Sequence, residues 1–145
     1  MVYRIREVDA SDDDIAELIH ELHDEVFGDS APPVDPERGH WWLLYDVDGS
    51  REVAGFCGLT PTYSDPTIGY LKRAGVLPMH RGKGLQRRLV RVREARARRN
   101  GWTHIVTDTT DNPPSANNLI SCGYRIYRPP QPWGYPETIY WSKAL

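Results

Sequence analysis

The stretch Val76-Leu-Pro-Met-His-Arg-Gly-Lys-Gly-Leu-Gln-Arg-Arg-Leu-Val90 decides the fold. Pro78 and Gly82 break off an apolar strand end, and Leu85, Leu89 and Val92 then recur at the spacing of one helix face. A strand that passes through a glycine-bearing turn into a helix aims unpaired backbone N–H groups and the positive end of the helix dipole at one point. Such a point suits an anion, phosphate above all. Lys83, Arg87 and Arg88 add side-chain charge beside it. Two other phosphate loops are excluded. Lys83 is followed by Gly84 rather than Ser or Thr, so there is no Walker A loop, and no G-x-G-x-x-G follows an early strand.

Upstream, three strands separated by turn signals lead into this stretch: Trp41 to Val47, closed by Asp48-Gly49-Ser50, then Glu52 to Thr60, then Ile68 to Val76. Gly75, inside the third, predicts a bulge or the close approach of a ligand or another backbone, with packing against a neighbour as the alternative. Before these strands, Tyr3 to Val8 alternates as an opening strand. Ser11 or Asp12 then caps a helix whose apolar face is Ile15, Leu18, Ile19, Leu22 and Val26. Residues 28–39, with three prolines, read as a loop or a broken second helix carrying Asp29, Asp35 and Glu37.

Downstream, the motif helix runs to about Asn100 and Gly101 ends it. Trp102 to Asp108 follows by a right-handed crossover, so it lies parallel to the third strand of the meander. Tyr124 to Tyr127 and Thr138 to Trp141 read as closing strands. The proline-rich residues 128–136 between them carry Trp133 and Tyr135, which cap the core or line an acceptor wall, the core role being preferred.

Val76-x-Pro78-x-x-Arg81-Gly82-x-Gly84-Leu85 resembles the coenzyme-A pyrophosphate loop of the GCN5-related N-acetyltransferases (GNAT), whose pattern is Gln/Arg-x-x-Gly-x-Gly/Ala. Arg81, Gly84 and Gln86 fall on its fixed positions, with Gln86 where Gly or Ala is usual. A second landmark, from Asn112 to Tyr124, is similar to the family's Asn-x-x-Ala-x-x-x-Tyr-x-x-x-Gly-Phe. The family's tyrosine, general acid for the departing thiolate, aligns here with Leu119, which has no proton to give.

The resemblance implies a single N-acetyltransferase domain over residues 1–145, of the α/β (α+β) class, with a mixed, mostly antiparallel central sheet of six to seven strands flanked by helices. It implies acetyl-CoA as co-substrate, without a metal, and direct attack by the amine of a small-molecule or peptide acceptor. The amides of Gly82, Lys83, Gly84, Leu85, Gln86 and Arg87 would hold the pyrophosphate. The edge formed by Ala74, Gly75 and Val76 would bind the pantetheine arm, with Asn112 assisting and the Val76 N–H meeting the oxyanion. Catalytic residues stay undetermined, with Asp108 a candidate base and Tyr124 a candidate acid. The acceptor wall of the family includes the equivalent of residues 28–39. A homodimer through the C-terminal strands stays open.

Composition sets the alternatives. The formal net charge is −2. Residues 81–100 hold nine of the 18 Lys and Arg and one of the 20 acids, hence +8 there and −10 elsewhere. A nucleic-acid module using the basic helix 81–99 is therefore a second reading, which the acidic remainder opposes. For Arg93 to Arg99 the expectation is a solvated face. A coenzyme-A sensor of the same fold without turnover is a third reading, motivated by Leu119. Cys57 and Cys122 are expected as buried free thiols, which suits a reducing cytoplasm. No stretch approaches membrane-spanning length.

Overall fold

A computed structural model describes residues 2–49 and 52–145, so Ser50 of the expected turn lies outside the described residues. The strands are β1 (Tyr3–Val8), β2 (His40–Asp46), β3 (Val53–Pro61), β4 (Ile68–Val76), β5 (His104–Thr109), β6 (Arg125–Ile126) and β7 (Ile139–Ala144). The helices are α1 (Asp13–Phe27), α2 (Leu85–Arg99) and α3 (Pro113–Ser121). All seven strands form one sheet in the order β1-β2-β3-β4-β5-β7-β6. Every neighbouring pair is antiparallel except β4 and β5. The expected mixed sheet is borne out, and α2 is the crossover that makes β4 and β5 parallel.

Local chemistry sets the helix ends. The Asp12 carboxylate accepts the amides of Asp14 and Ile15 and so starts α1. Gly101, at φ +75, stands just past the Asn100 cap of α2, in a conformation that L side chains adopt at a cost. The apolar face of α1 places Ile19 and Leu22 on Trp41, Leu43 and Phe56. Across the sheet, α2 sets Leu85, Leu89, Val90 and Ala97 on Leu59, Leu71, Val76 and Ile105. Cys57 and Cys122 are free and buried, and burial pushes the Cys57 thiol up to about 11.

Two features differ from the sequence reading. Gly75 is not the bulge. It pairs regularly with Phe56, and a Cβ there would meet the Phe56 ring at 2.8 Å and Val26 at 2.9 Å, so close packing under α1 explains the glycine. The bulge lies earlier on β4. Cys57 pairs with Ala74 and Leu59 with Leu71, leaving Lys72 and Arg73 opposite Gly58 alone.

The arginine face of α2 is also not uniformly solvated. Arg93 is 2% exposed and donates to the carbonyls of Leu89, Gly58 and Lys72, closing the bulge from beneath. Its neighbour Glu94 is 1% exposed, and the Lys143 ammonium lies 2.8 Å from its carboxylate. Lys143 also donates to the Cys122 carbonyl, which ties β7 to the end of α3. Removing one partner of a buried pair strands the other charge. Lys143→Met is therefore expected to destabilise the fold by about 3 kcal/mol, read as a lower urea midpoint at unchanged m-value.

Candidate functional site

Backbone donors come first. After β4 the chain makes a 3-10 turn (Pro78–His80), in which the His80 amide bonds to Leu77 O and the Arg81 amide to Pro78 O. The next amide with a partner is Arg88, which donates to Gly84 O. Gly84, left-handed at φ +72, caps α2 without any side-chain hydrogen bond, and Gly82 is left-handed at φ +77. The six amides from Gly82 to Arg87 therefore have no hydrogen-bond partner among the described residues. They crowd the N-terminus of a 15-residue helix, where the helix dipole favours negative charge. Lys83 and Arg87 are exposed there, while Leu85 is buried and contributes its amide alone. The donor set fits a diphosphate.

The strand edge comes next. The Leu77 amide donates to Ala54 O at 2.8 Å, continuing the register in which Val76 faces Gly55. Antiparallel alternation then turns the amides of Gly75 and Leu77 toward β3 and those of Ala74 and Val76 the other way. On that other side β5 pairs with β4 only through Ile68, Gly69 and Tyr70. Thr107 Oγ1 still reaches Leu71 O at 3.2 Å, and beyond it the two parallel strands separate. Ala74 and Val76 thus border a slot that opens toward the glycine loop. The Val76 carbonyl on the same edge accepts from Arg81 Nε at 2.9 Å, which locks the loop onto β4. The free Val76 amide follows from ordinary alternation beside the splay, not from a bulge at Gly75.

Side chains on the α1 face of the slot form a polar cluster. Tyr70 and Asp108 face this side, since their neighbours Leu71 and Ile105 lie in the α2 core. Asp108 Oδ2 accepts from Tyr70 OH and from Trp133 Nε1, both at 2.6 Å. Burial, followed by the Asp108 charge, pushes the Tyr70 hydroxyl above its ordinary range, so it remains a donor. Trp133 stacks edge-on against Tyr140, with centroids 4.7 Å apart. Trp133, 48% exposed, thus covers the buried Tyr140 ring as a cap, whereas Tyr135, 71% exposed, takes no such place. The prolines around them keep the chain out of the sheet, and the rings stand over its open end. A cleft of about 500 Å³ runs between this loop and the end of α1, lined by His23, Asp24, Asp29, Pro33 and Tyr135. Of the three acids in the loop after α1, only Asp29 borders it; Glu37 lines a different cleft, and Asp35 caps the Glu37 amide.

The remaining expected residues are placed as follows. Asn112 caps α3, its side-chain oxygen accepting the Ser115 amide at 3.2 Å. Its side-chain N–H groups have no protein partner among the described residues. Leu119 is buried in the α2-side core, as is Tyr124. Burial and then the neighbouring Glu94 charge raise the Tyr124 pKa, and the ring serves the core rather than the slot. Tyr70 and the Lys72–Arg73 bulge were missed. Tyr70 carried one signal, its place one turn of the strand alternation from Lys72, but nothing local announces a bulge made of two cations.

The model of the "Acetyltransferase (GNAT) family" matches residues 3–124. No curated protein sequence matches the chain. Solved structures share the fold at low identity. An IAA acetyltransferase from Bacillus cereus is 18% identical, covers 99% of this chain and 100% of its own, and superposes with a TM-score of 0.72. The ribosomal-protein-S18-alanine N-acetyltransferase from Escherichia coli is 15% identical, with coverage of 99% and 94% and a TM-score of 0.71. A Bacillus subtilis acetyltransferase solved in complex with CoA is 18% identical, with coverage of 99% of both chains and a TM-score of 0.69. The matched segment takes in β1, the glycine loop, the splayed strands and α3, and the chain belongs to the GNAT acetyltransferase family.

Proposed function

We propose that the protein is an acetyl-CoA-dependent N-acetyltransferase. The observation that carries this reading is the run of six unpartnered amides, Gly82 to Arg87, beside a strand edge whose Ala74 and Val76 amides face an open slot. The amides of residues 82–87, with Lys83 and Arg87, hold the pyrophosphate; Ala74, Val76 and the Asn112 side-chain N–H hold the pantetheine amides. Gly75 serves by letting β4 lie close under α1. Acetyl-CoA supplies an activated acyl carbon. The acceptor nitrogen enters from the α1 face, bonds to that carbon as the C–S bond breaks, and the Val76 N–H meets the carbonyl oxygen as charge gathers on it. Asp108 receives the ammonium and takes its proton on Oδ1, while Tyr70 and Trp133 fix Oδ2. Leu119 and Tyr124 give no proton to the thiolate, which is protonated by solvent.

Coenzyme A at about 100 times its Kd should stabilise the fold by about 2.7 kcal/mol, a rise of roughly 5–10 °C in Tm. Thiol release from acetyl-CoA across an amine panel then tests transfer. Asp108→Asn is expected to lower kcat by about 10²- to 10⁴-fold with little change in coenzyme-A affinity. An unchanged kcat removes Asp108 from the chemistry. Leu119 at the family's tyrosine position favours a second reading, a coenzyme-A sensor, which predicts the same stabilisation with no turnover on any amine. The nucleic-acid reading has less support, because Arg93 is buried and Arg96 pairs with Glu7 at 3.1 Å, which leaves Arg91, Arg98 and Arg99 as the exposed cations of the distal helix.

A further inference from the structure

The bulge of β4 does more than widen the strand. Leu71 and Ala74 both pack on the α2 side, so the two residues between them, Lys72 and Arg73, turn together to the α1 side. They stand there beside Tyr70 and Asp108. Two adjacent cations at half-buried positions repel one another, and both burial and the Arg73 charge pull the Lys72 pKa down. Among the described residues neither is ion-paired to a carboxylate, and Arg73 Nε is buried without a hydrogen-bond partner. Asp108 opposes part of that shift on Lys72 but forms no ion pair with either cation, and its Oδ2 is held by Tyr70 and Trp133, so one carboxylate faces two cations.

The opposite wall supplies only exposed carboxylates, Asp24 and Asp29. His23 is 2% exposed, and its Nε2 has no partner among the described residues. Burial, then Arg73, hold its pKa down, against a smaller opposing pull from Asp24. Arg38, also felt by Lys72, donates to Pro61 O and stacks on Tyr63. Asp24 and Asp29 are exposed at the cleft rim, where water and salt screen them. The acceptor side of the slot thus combines one carboxylate positioned for an amine with a half-buried excess of positive charge next to it.

We infer that the acceptor is a small amino acid, whose amine meets Asp108 and whose carboxylate is held by Lys72 and Arg73. This rests on the N-acetyltransferase reading and names its substrate class. The planar Arg73 fork matches a carboxylate better than a point charge would. In the transfer the new bond joins the amino nitrogen to the acyl carbon, the C–S bond breaks, the thiolate leaves, and the ammonium proton passes through Asp108 to water. A polyamine is disfavoured, because its second ammonium would meet the two cations.

The test pairs each amino acid with its carboxamide, adds an aminoalkylphosphonate and a polyamine, and measures kcat/KM with acetyl-CoA. The free acids are expected to exceed the carboxamides by about 10- to 100-fold, the worth of one charge-assisted pair. Arg73→Gln and Lys72→Met are each expected to bring that ratio toward one. Their coenzyme-A affinity, measured calorimetrically, should be retained, which also shows that they fold. Equal or better turnover of carboxamides, polyamine or phosphonate overturns the inference while leaving the N-acetyltransferase reading intact. So does an unchanged ratio in both variants. Coenzyme-A binding without turnover on any amine overturns both.

Discussion

Gly84→Val is expected to weaken coenzyme-A binding by about 100-fold, the loss of one or two charge-assisted hydrogen bonds. Gly84 caps α2 in the left-handed region at φ +72, ψ +15. A β-branched residue there costs about 1–2 kcal/mol. The loop escapes that strain only by rotating the peptide, which turns neighbouring amides away from the point they share. Space is not the issue, because a Cβ at Gly84 would meet nothing within 4 Å. Gly101 provides the matching control at the other end of the same helix. It has φ +75 and equally open surroundings. Gly101→Val should lower stability by a similar amount and leave coenzyme-A affinity within about twofold. Calorimetric titration of the two variants separates backbone strain from loss of the anion site, and equal affinities would refute a role for the Gly84 turn.

Arg93→Ala is expected to cost about 5 kcal/mol of stability, and with it roughly 10–20 °C in Tm. The side chain reaches from α2 into the sheet and donates to the carbonyls of Gly58 and Lys72 at 3.3 and 3.1 Å. Both carbonyls belong to the bulge, Gly58 on β3 and Lys72 on β4. Truncation strands both in a buried setting and opens a cavity of arginine length. The bulge orients Lys72, Arg73 and the slot edge beyond them. A variant that still folds at low temperature should therefore show a raised KM for acetyl-CoA and for the acceptor. Thermal unfolding followed by circular dichroism gives the first number and steady-state kinetics the second. A Tm within 3 °C of the parent would mean that the bulge holds itself.

Much of the architecture was legible because each signal was local. Glycines at 82 and 84 after an apolar strand end, followed by helical spacing, describe a strand-turn-helix unit from a few neighbouring residues. Asp12 and Gly101 likewise mark helix ends through backbone chemistry alone. What escaped was set by contacts between distant segments. Arg93 carries no mark that separates it from Arg91 or Arg96. Its burial depends on a bulge one strand away, and that bulge depends on the offset between β3 and β4. Gly75 looked like a bulge signal because a strand glycine is ambiguous between a backbone irregularity and a neighbour's bulk, here Phe56 and Val26. Tyr135 misled in the other direction. Aromatic rings usually join a core, but prolines on either side hold this loop over the open end of the sheet. Asp108 was found as a strand-end carboxylate, whereas its partner Tyr70 lies on a strand 38 residues away in sequence.

Amide chemical shifts recorded during titration with ADP and then with coenzyme A report on the diphosphate loop and the strand slot separately. ADP is expected to move the backbone amides of residues 82–87 and to leave Ala74 and Val76 in place. Coenzyme A should move both sets, because its longer arm enters the slot between β4 and β5. Unmoved loop amides at saturating coenzyme A, or shifts confined to another face of the sheet, would contradict a coenzyme-A site at the loop and slot.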